Sequence, residues 1–269
     1  MELNLLDLKG NAKGKVKLPE QFNEPVREDL IFRAVHTIQS NKRQAYGAFS
    51  EAGKKPSAKL SKRRKKFRGS YGKGISRVPR KILRKSGSNF TWQGAFAPGM
   101  VGGRRAHPPK ADKIWSLAMN KKENRKAIRS ALAATMSKEL VAKRGHALPE
   151  KYPFVIDNEL ETLSKTKQVM ETLASIGISD ELKRSSIKKI RAGKGKNRNR
   201  KYTTKKGPLI VVSTNCALSL SGKNIPGVEV QSVKNLNAEL LAPGAMPGRL
   251  TIFTKAAVEL MEKEKMFSN

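Results

Sequence analysis

Apolar residues fall into regular patterns over most of this chain, and each pattern predicts an element. Leu3, Leu5 and Leu8 alternate loosely before a Leu-Lys-Gly-Asn turn, and Lys15 to Leu18 with Pro19 follows as a second extended piece. Together they predict a small edge hairpin. Pro25 opens a helix in which Val26, Leu30, Ile31, Ala34, Val35 and Ile38 recur at helical spacing, with Glu28 and Asp29 in its first turn, fading near Asn41. Asn124 to Lys143 predicts a long helix with Ile128, Leu132, Met136, Leu140 and Val141 on one face. A strand–helix rhythm follows: a strand at Phe154–Ile156, a helix Thr162–Ser175 and a helix Asp180–Lys189 capped by Ser179. Strands at Pro208–Ser213, Val228–Val230 and Leu250–Phe253 come next, then a closing helix Ala256–Glu264. Strands alternating with helices imply a parallel sheet covered on both faces, a three-layer α/β/α fold.

The rhythm lapses between two of the helices. Residues 48–111 divide the chain into an N-terminal part of the globular domain (1–47), an insertion, and the remainder of the domain (112–269). The insertion is rich in glycine and proline and poor in spaced apolar positions, so no folded core is expected from it. About sixty residues between two core helices is far beyond ordinary loop length, which marks the segment as functional. Doubled back on itself, it reaches at most roughly 100 Å with about thirty residues per arm.

Charge sharpens this. Between Glu51 and Asp112 there is no carboxylate, while SKRRKKFRGSYGKGISRVPRK at 61–81 is crowded with cations. Aromatic residues are scattered through the insertion at Phe67, Tyr71, Phe90, Trp92 and Phe96. The formal net charge is +34 over 269 residues, so the chain needs an anionic partner to relieve its self-repulsion. Dense positive charge with interleaved aromatics favours nucleic acid. Stacking on unpaired bases is one reading of Phe90, Trp92 and Phe96, and a hydrophobic staple between the two arms is the other. A second basic loop, with Arg191, Lys194, Lys196, Arg198, Arg200 and Lys201 and no balancing acid, is read as another phosphate-contacting arm. No run of eighteen apolar residues suggests a membrane partner, and MELNLLDLKG lacks the basic start and apolar core of a signal peptide. A cytosolic protein is expected.

Candidate chemistry changes little. The single cysteine, Cys216, follows the apolar run 209–212 and reads as a small buried hydrophobe. His36, His107 and His146 form no metal spacing with it and no catalytic pattern. Gly193-Lys194-Gly195-Lys196 precedes a strand instead of following one, so it is not a nucleotide cradle, and no cofactor or small-molecule substrate is expected. Asp157 ends a strand, where α/β enzymes place catalytic groups, but Asn158, Glu159 and Glu161 after it read as a helix-entry turn.

Several strings then combine: PVREDLIFRAVHTIQSNKRQAYG at 25–47, SRVPR at 76–80, GRRAHPPKADK at 103–113, IRSALAATMSKELVAKRGH at 128–146, RAGKGKNRNRKY at 191–202 and LAPGAMPGRLTIFTKAAVELM at 241–261. In this order they resemble the family of large-subunit ribosomal protein four in its archaeal and eukaryotic form, over nearly the whole length. The resemblance implies an α/β domain with a four-stranded parallel sheet and a long internal loop that penetrates the large ribosomal RNA. The loop tip lines the nascent-peptide exit tunnel, and the protein supports subunit assembly without being an enzyme.

Carried onto this chain, the resemblance makes RNA contacts of Lys59, Lys62, Arg63, Arg64, Lys65, Lys66, Arg68, Lys73, Arg77, Arg80, Lys81, Arg84 and Lys85. Trp92, Arg104, Arg105, His107 and Lys110 join them. The tunnel tip falls within Tyr71–Pro98, with Tyr71, Arg77, Arg80, Trp92 and Phe96 as the lining candidates; the 92–96 segment, WQGAF, resembles the eukaryotic loop. Implied partners are large-subunit ribosomal RNA, neighbouring ribosomal proteins and the nascent peptide. The alternatives are an RNA-modifying enzyme with a basic docking arm, which needs a cofactor turn and a polar group at the strand ends, and a DNA-compacting protein, which needs no such α/β domain.

Overall fold

The computed structural model describes residues 1–49, 60–66 and 69–268. The chain divides into two compact units, one of Met1–Lys42 with Ser116–Asn269 and one of Arg43–Trp115. In chain order the first unit begins with β1 (Glu2–Leu6), β2 (Ala12–Lys17) and α1 (Glu28–Asn41). The second unit holds β3 (Arg80–Ser86) and β4 (Asn89–Gly94). The first unit resumes with α2 (Lys121–Met136), α3 (Lys138–Lys143), β5 (Phe154–Ile156), α4 (Thr166–Ser175), α5 (Ser179–Ser186), β6 (Lys188–Ile190) and β7 (Tyr202–Thr204). It ends with β8 (Leu209–Val212), α6 (Ala217–Ser221), β9 (Glu229–Ser232), α7 (Ala238–Leu241), β10 (Thr251–Thr254) and α8 (Lys255–Lys263).

The main sheet of the first unit has the order β2-β1-β5-β10-β8-β9. All neighbours are parallel except β1 and β2, which form the expected N-terminal hairpin with a bulge between Leu5 and Leu6. The four strands expected in parallel are there, but the sheet is mixed and six-stranded. The difference lies in β1, whose Leu5 and Leu6 sit opposite Val155 and Ile156, so the hairpin extends the sheet.

Strand residues alternate between faces, so the continuous apolar runs of β5, β8 and β10 must be covered on both sides. One face gathers Leu5, Val155, Leu209, Val211 and Phe253 under α1, α2, α7 and α8. Its contacts include Ile31 and Val35 of α1, Leu132 of α2 and Met261 of α8. The other gathers Leu6, Phe154, Ile156, Ile210, Val212 and Ile252 with Val169 and Leu173 of α4 and Leu218 of α6. The three layers are the expected α/β/α arrangement.

Local chemistry moves several predicted boundaries. The long helix at 124–143 is two helices, because Ser137 turns extended (φ −83, ψ 113) and its hydroxyl caps α3 by accepting from Leu140 N. The helix expected from Thr162 starts at Thr166, and a short 3-10 turn at Asn158–Thr162 precedes it. α5 stops at Ser186, where Ile187 turns extended toward β6, and Ser179 lies inside its first turn with Ile178 at the cap.

Candidate nucleic-acid interface

The carboxyl ends of parallel strands are the usual ligand edge of an α/β sheet. Here acidic side chains on that edge are occupied by structure. Glu161 accepts from Ser213 N at 2.9 Å, from Ser213 Oγ at 2.8 Å and from Thr254 Oγ1 at 2.6 Å, tying the ends of β8 and β10 together. Asp157 accepts from Asn158 N at 2.8 Å and from Lys13 Nζ at 2.5 Å, which holds its carboxyl below the usual carboxylate range. No group of metal-ligating side chains occurs among the described residues. Cys216 is half-buried at the start of α6, with its Sγ 3.8 Å from Ser219 Oγ.

Composition predicts no folded core in the insertion, and the second unit nevertheless contains a regular element: β3 and β4 form an antiparallel hairpin pairing Arg80 with Gly94 and Ser86 with Asn89. Gly87 takes φ +55 in the two-residue turn, a conformation such tight hairpins require and glycine supplies without strain. Period-2 alternation puts Phe90 and Trp92 on one half-buried side of β4 and leaves Asn89, Thr91 and Gln93 exposed. The two rings meet edge to face at 5.3 Å, and Lys73 Nζ lies 5.1 and 4.9 Å from their centroids. The two rings belong to one strand and meet a cation, so this pair is not a hydrophobic staple between the arms, and Phe96 is exposed.

The other candidates form distinct groups. Tyr71 is flanked by two guanidinium groups, Arg77 at 4.4 Å and Arg64 at 4.9 Å, and Arg64 Nη2 also donates to its hydroxyl at 2.8 Å. Arg80 donates to the Ser76 carbonyl at 3.0 Å and to its hydroxyl at 2.9 Å. Lys62, Arg63, Lys65 and Lys66 are exposed, with Lys65 at φ 56 in a turn. Lys81, Arg84 and Lys85 are exposed along β3. Arg105, His107 and Lys110 are exposed and Arg104 is half-buried. Lys59, Arg68 and the aromatic Phe67 lie outside the described residues.

Composition alone did not single out the ends of this unit. Tyr46 and Trp115 stack at 6.0 Å and 12° between planes. Arg43 lies 3.6 Å from the Trp115 centroid and 5.5 Å from that of Tyr46, and Lys113 Nζ is 4.2 Å from the Trp115 ring. Ala48 N donates to Pro109 O at 3.0 Å, so the entering and leaving strands of chain are closed on each other. Aromatics flanking a basic run, with cations beside each, were the available signal.

The basic loop at 191–201 is the tip of a second basic hairpin, β6 with β7, that pairs Ile190 with Tyr202. Arg191 is turned back into the tip, donating to the carbonyls of Arg200 at 2.9 Å and Tyr202 at 3.3 Å. Lys194, Lys196, Arg198, Arg200 and Lys201 are exposed around a 3-10 turn at Lys194–Arg198.

Residues 16–264 match the family model described as Ribosomal protein L4/L1 family. The chain is similar to the large ribosomal subunit protein uL4 of Nanoarchaeum equitans, 51% identical over 268 residues that cover 99% of this chain and 100% of that one. It is 46% identical over 261 residues to uL4 of Methanosphaera stadtmanae (96% and 95% covered). With uL4 of Archaeoglobus fulgidus it shares 43% over 263 residues (97% and 98%).

Proposed function

The chain belongs to the ribosomal protein L4/L1 family, and from that premise we propose that it is a non-enzymatic, RNA-binding component of the large ribosomal subunit in the cytoplasm. Residues 48–111 act as the arm that penetrates large-subunit ribosomal RNA, and the tip, within Tyr71–Pro98, lines the nascent-peptide exit tunnel. The hairpin tip at 191–201 is a second RNA contact. One observation carries this reading. In the arm, Arg64, Lys73, Arg77 and Arg80 are held by aromatic rings and by Ser76, which leave their positive charge in place. A surface of that kind is completed by phosphates. The aromatic faces beside the cations suit stacking on unpaired bases.

The enzyme alternative finds no support. Similar chains covering the whole length are named for a ribosomal protein, and the acids at the strand ends are committed to structure. Neighbouring large-subunit proteins and the nascent chain complete the set of partners.

The test is reconstitution. The protein should bind protein-free large-subunit RNA in preference to small-subunit RNA, and a photoreactive group at Trp92 should crosslink to a stalled nascent chain. Equal binding to both RNAs overturns the RNA assignment. Selective RNA binding with no nascent-chain crosslink from any position in 71–98 overturns the tunnel assignment alone.

A further inference from the structure

The first unit has a cleft of about 860 Å³ near the amino ends of its parallel strands, opposite the usual ligand edge. Its walls come from distant parts of the sequence: Lys42 ends α1, Arg144 follows α3, Arg184 lies in α5, and Lys205 and Lys206 lead into β8. None of the five stood out in the sequence. Glu229 and Glu239 are the carboxylates lining it, and each already faces a cation: Lys206 with Arg249 for the first, Lys42 for the second.

Three guanidinium groups crowd this region. Arg144 donates to the carbonyls of Pro243 at 2.5 Å and of Met246. Arg184 is held by Glu181 at 2.6 Å and donates to the Lys206 carbonyl at 2.7 Å. Arg249 is fully buried, donates to Glu229 at 2.7 Å and to the Leu240 carbonyl at 2.9 Å, and keeps one Nη2 without a partner. Burial, then the charges of Arg249 and Arg184, push Arg144 down to about 10. Of the three, Arg144 is held by backbone carbonyls alone, which orient it without neutralising it, and Lys42, Lys205, Lys206 and the three guanidiniums together outnumber the carboxylates Glu181, Glu229 and Glu239 that face them. Like charges gathered at a half-open cleft are relieved by an anion.

The kind of anion follows from what adjoins the cleft. β7 runs from the cationic tip at 191–201 straight into Lys205 and Lys206, so one ribbon carries positive charge from the tip to the cleft wall. Leu240, Pro243 and the exposed Met246 give the cleft an apolar side suited to a ribose. An evenly charged sugar–phosphate chain matches such a continuous track better than a carboxylate cluster on a folded protein surface. We propose that this cleft is a separate RNA site, taking the phosphodiester backbone of a large-subunit RNA strand that continues along the β6–β7 hairpin. The inference rests on the RNA-binding reading above and adds a site to it.

Lys205 is exposed and serves as the probe. The ligand used is protein-free large-subunit RNA of Nanoarchaeum equitans, with a ten-nucleotide oligoribonucleotide and polyglutamate as competitors. Lys205→Gln, checked by circular dichroism for an unchanged melt, should lose about five- to eightfold in affinity at 0.1 M salt and lower the salt slope by about 0.7–0.9, the signature of one lost phosphate contact. In the wild-type chain, RNA should protect Lys205 from acetylation, as read by mass spectrometry, and the oligoribonucleotide should do so better than polyglutamate. If wild-type binding is tight and salt-steep, yet Lys205→Gln binds equally and Lys205 acetylates at the same rate, the cleft site is wrong and the RNA reading stands. If polyglutamate protects better, the cleft belongs to an acidic protein partner. If the wild-type chain shows no salt-steep RNA binding, the RNA reading itself falls.

Discussion

His146 Nδ1 lies 2.7 Å from Glu181 Oε1, with both side chains shut away from solvent between α3 and α5. Burial alone pushes a carboxyl up. Here hydrogen bonds from Arg184, His146 and the Ala147 backbone N–H outweigh burial and hold Glu181 at about 2, against 4.5 for a free glutamate. An ionised carboxylate has no proton to give, so Nδ1 carries the hydrogen of this contact. The pair ties the segment after α3 to α5, beneath the basic cleft.

A pH dependence follows from that depressed value. Glu181 binds a proton more readily in the unfolded chain, so its stabilisation is complete above about pH 4.5 and is lost as pH falls toward 2. The full effect is on the order of 3 kcal/mol. Glu181→Gln should lower stability by about that amount at pH 7 and narrow the gap to wild type as pH drops through the window. Urea unfolding at stepped pH measures it, followed by far-ultraviolet circular dichroism because both tryptophans, Trp92 and Trp115, lie in the second unit. A gap that stays constant from pH 7 to pH 2.5 refutes the assignment.

The β1–β2 turn supplies a second test. Gly10 has φ +82, and a Cβ there would stand 2.8 Å from the Ser175 carbonyl oxygen. The turn is fixed by Asp7, which accepts from Lys9 N and Asn11 N, and by Ser175 Oγ donating to Leu8 O. Backbone meets backbone at this point, so nothing flexible can yield. Gly10→Ala should cost about 2 kcal/mol, from left-handed strain and the close approach together. Gly14, four residues on, has nothing within 4 Å, and Gly14→Ala should change stability by less than about 0.5 kcal/mol. Equal effects at the two positions would remove the geometric explanation.

The second basic hairpin separates structural from binding cations. Arg191 closes the tip through the Arg200 and Tyr202 carbonyls, whereas Lys194, Lys196 and Arg198 reach into solvent. Arg191→Ala should speed amide exchange over 192–201 by about tenfold without RNA, the equivalent of roughly 1.4 kcal/mol. Lys196→Ala should leave exchange unchanged and flatten the salt slope of RNA binding by about 0.7–0.9. Matching exchange profiles for the two variants would show that Arg191 is one more solvated cation.

How much of this was legible beforehand depended on whether apolar periodicity carried the signal. Leu209 to Val212 announced a buried strand because four successive apolar residues need cover on both sides, and α1 announced itself through Ile31, Val35 and Ile38. β6 and β7 escaped because Lys188-Lys189-Ile190 and Tyr202-Thr203-Thr204 expose every side chain, leaving pairing with no burial to betray it. β3 and β4 escaped for a different reason. Composition argued against a folded core there, although Ile82, Phe90 and Trp92 around Ser86-Gly87 carry strand and turn signals. The cleft was invisible to any local reading, since Lys42, Arg144, Arg184 and Lys205 meet only through the sheet topology.

Arg77 and Arg80 give the last prediction. They flank Val78-Pro79, and proline restricts both its own φ and the residue before it, so the chain between the two is stiff. Each guanidinium is also anchored, Arg77 beside the Tyr71 ring and Arg80 on Ser76 through its carbonyl and hydroxyl. A planar guanidinium stacks on a ring while its edge still makes paired phosphate contacts, and a lysine ammonium cannot do both. Lys65 and Lys66, by contrast, are exposed. Arg77→Lys with Arg80→Lys keeps the net charge, yet should weaken RNA binding by about tenfold and alter chemical probing of the tunnel RNA in assembled subunits. Lys65→Arg with Lys66→Arg should be nearly silent in both. Tyr71→Leu separates the two anchors: it should reproduce the loss tied to Arg77 and leave that tied to Arg80, so that adding Arg77→Lys to Tyr71→Leu costs little more. If the two charge-conserving pairs behave alike, the arm binds as diffuse charge and the anchoring of Arg77 and Arg80 has no part in recognition.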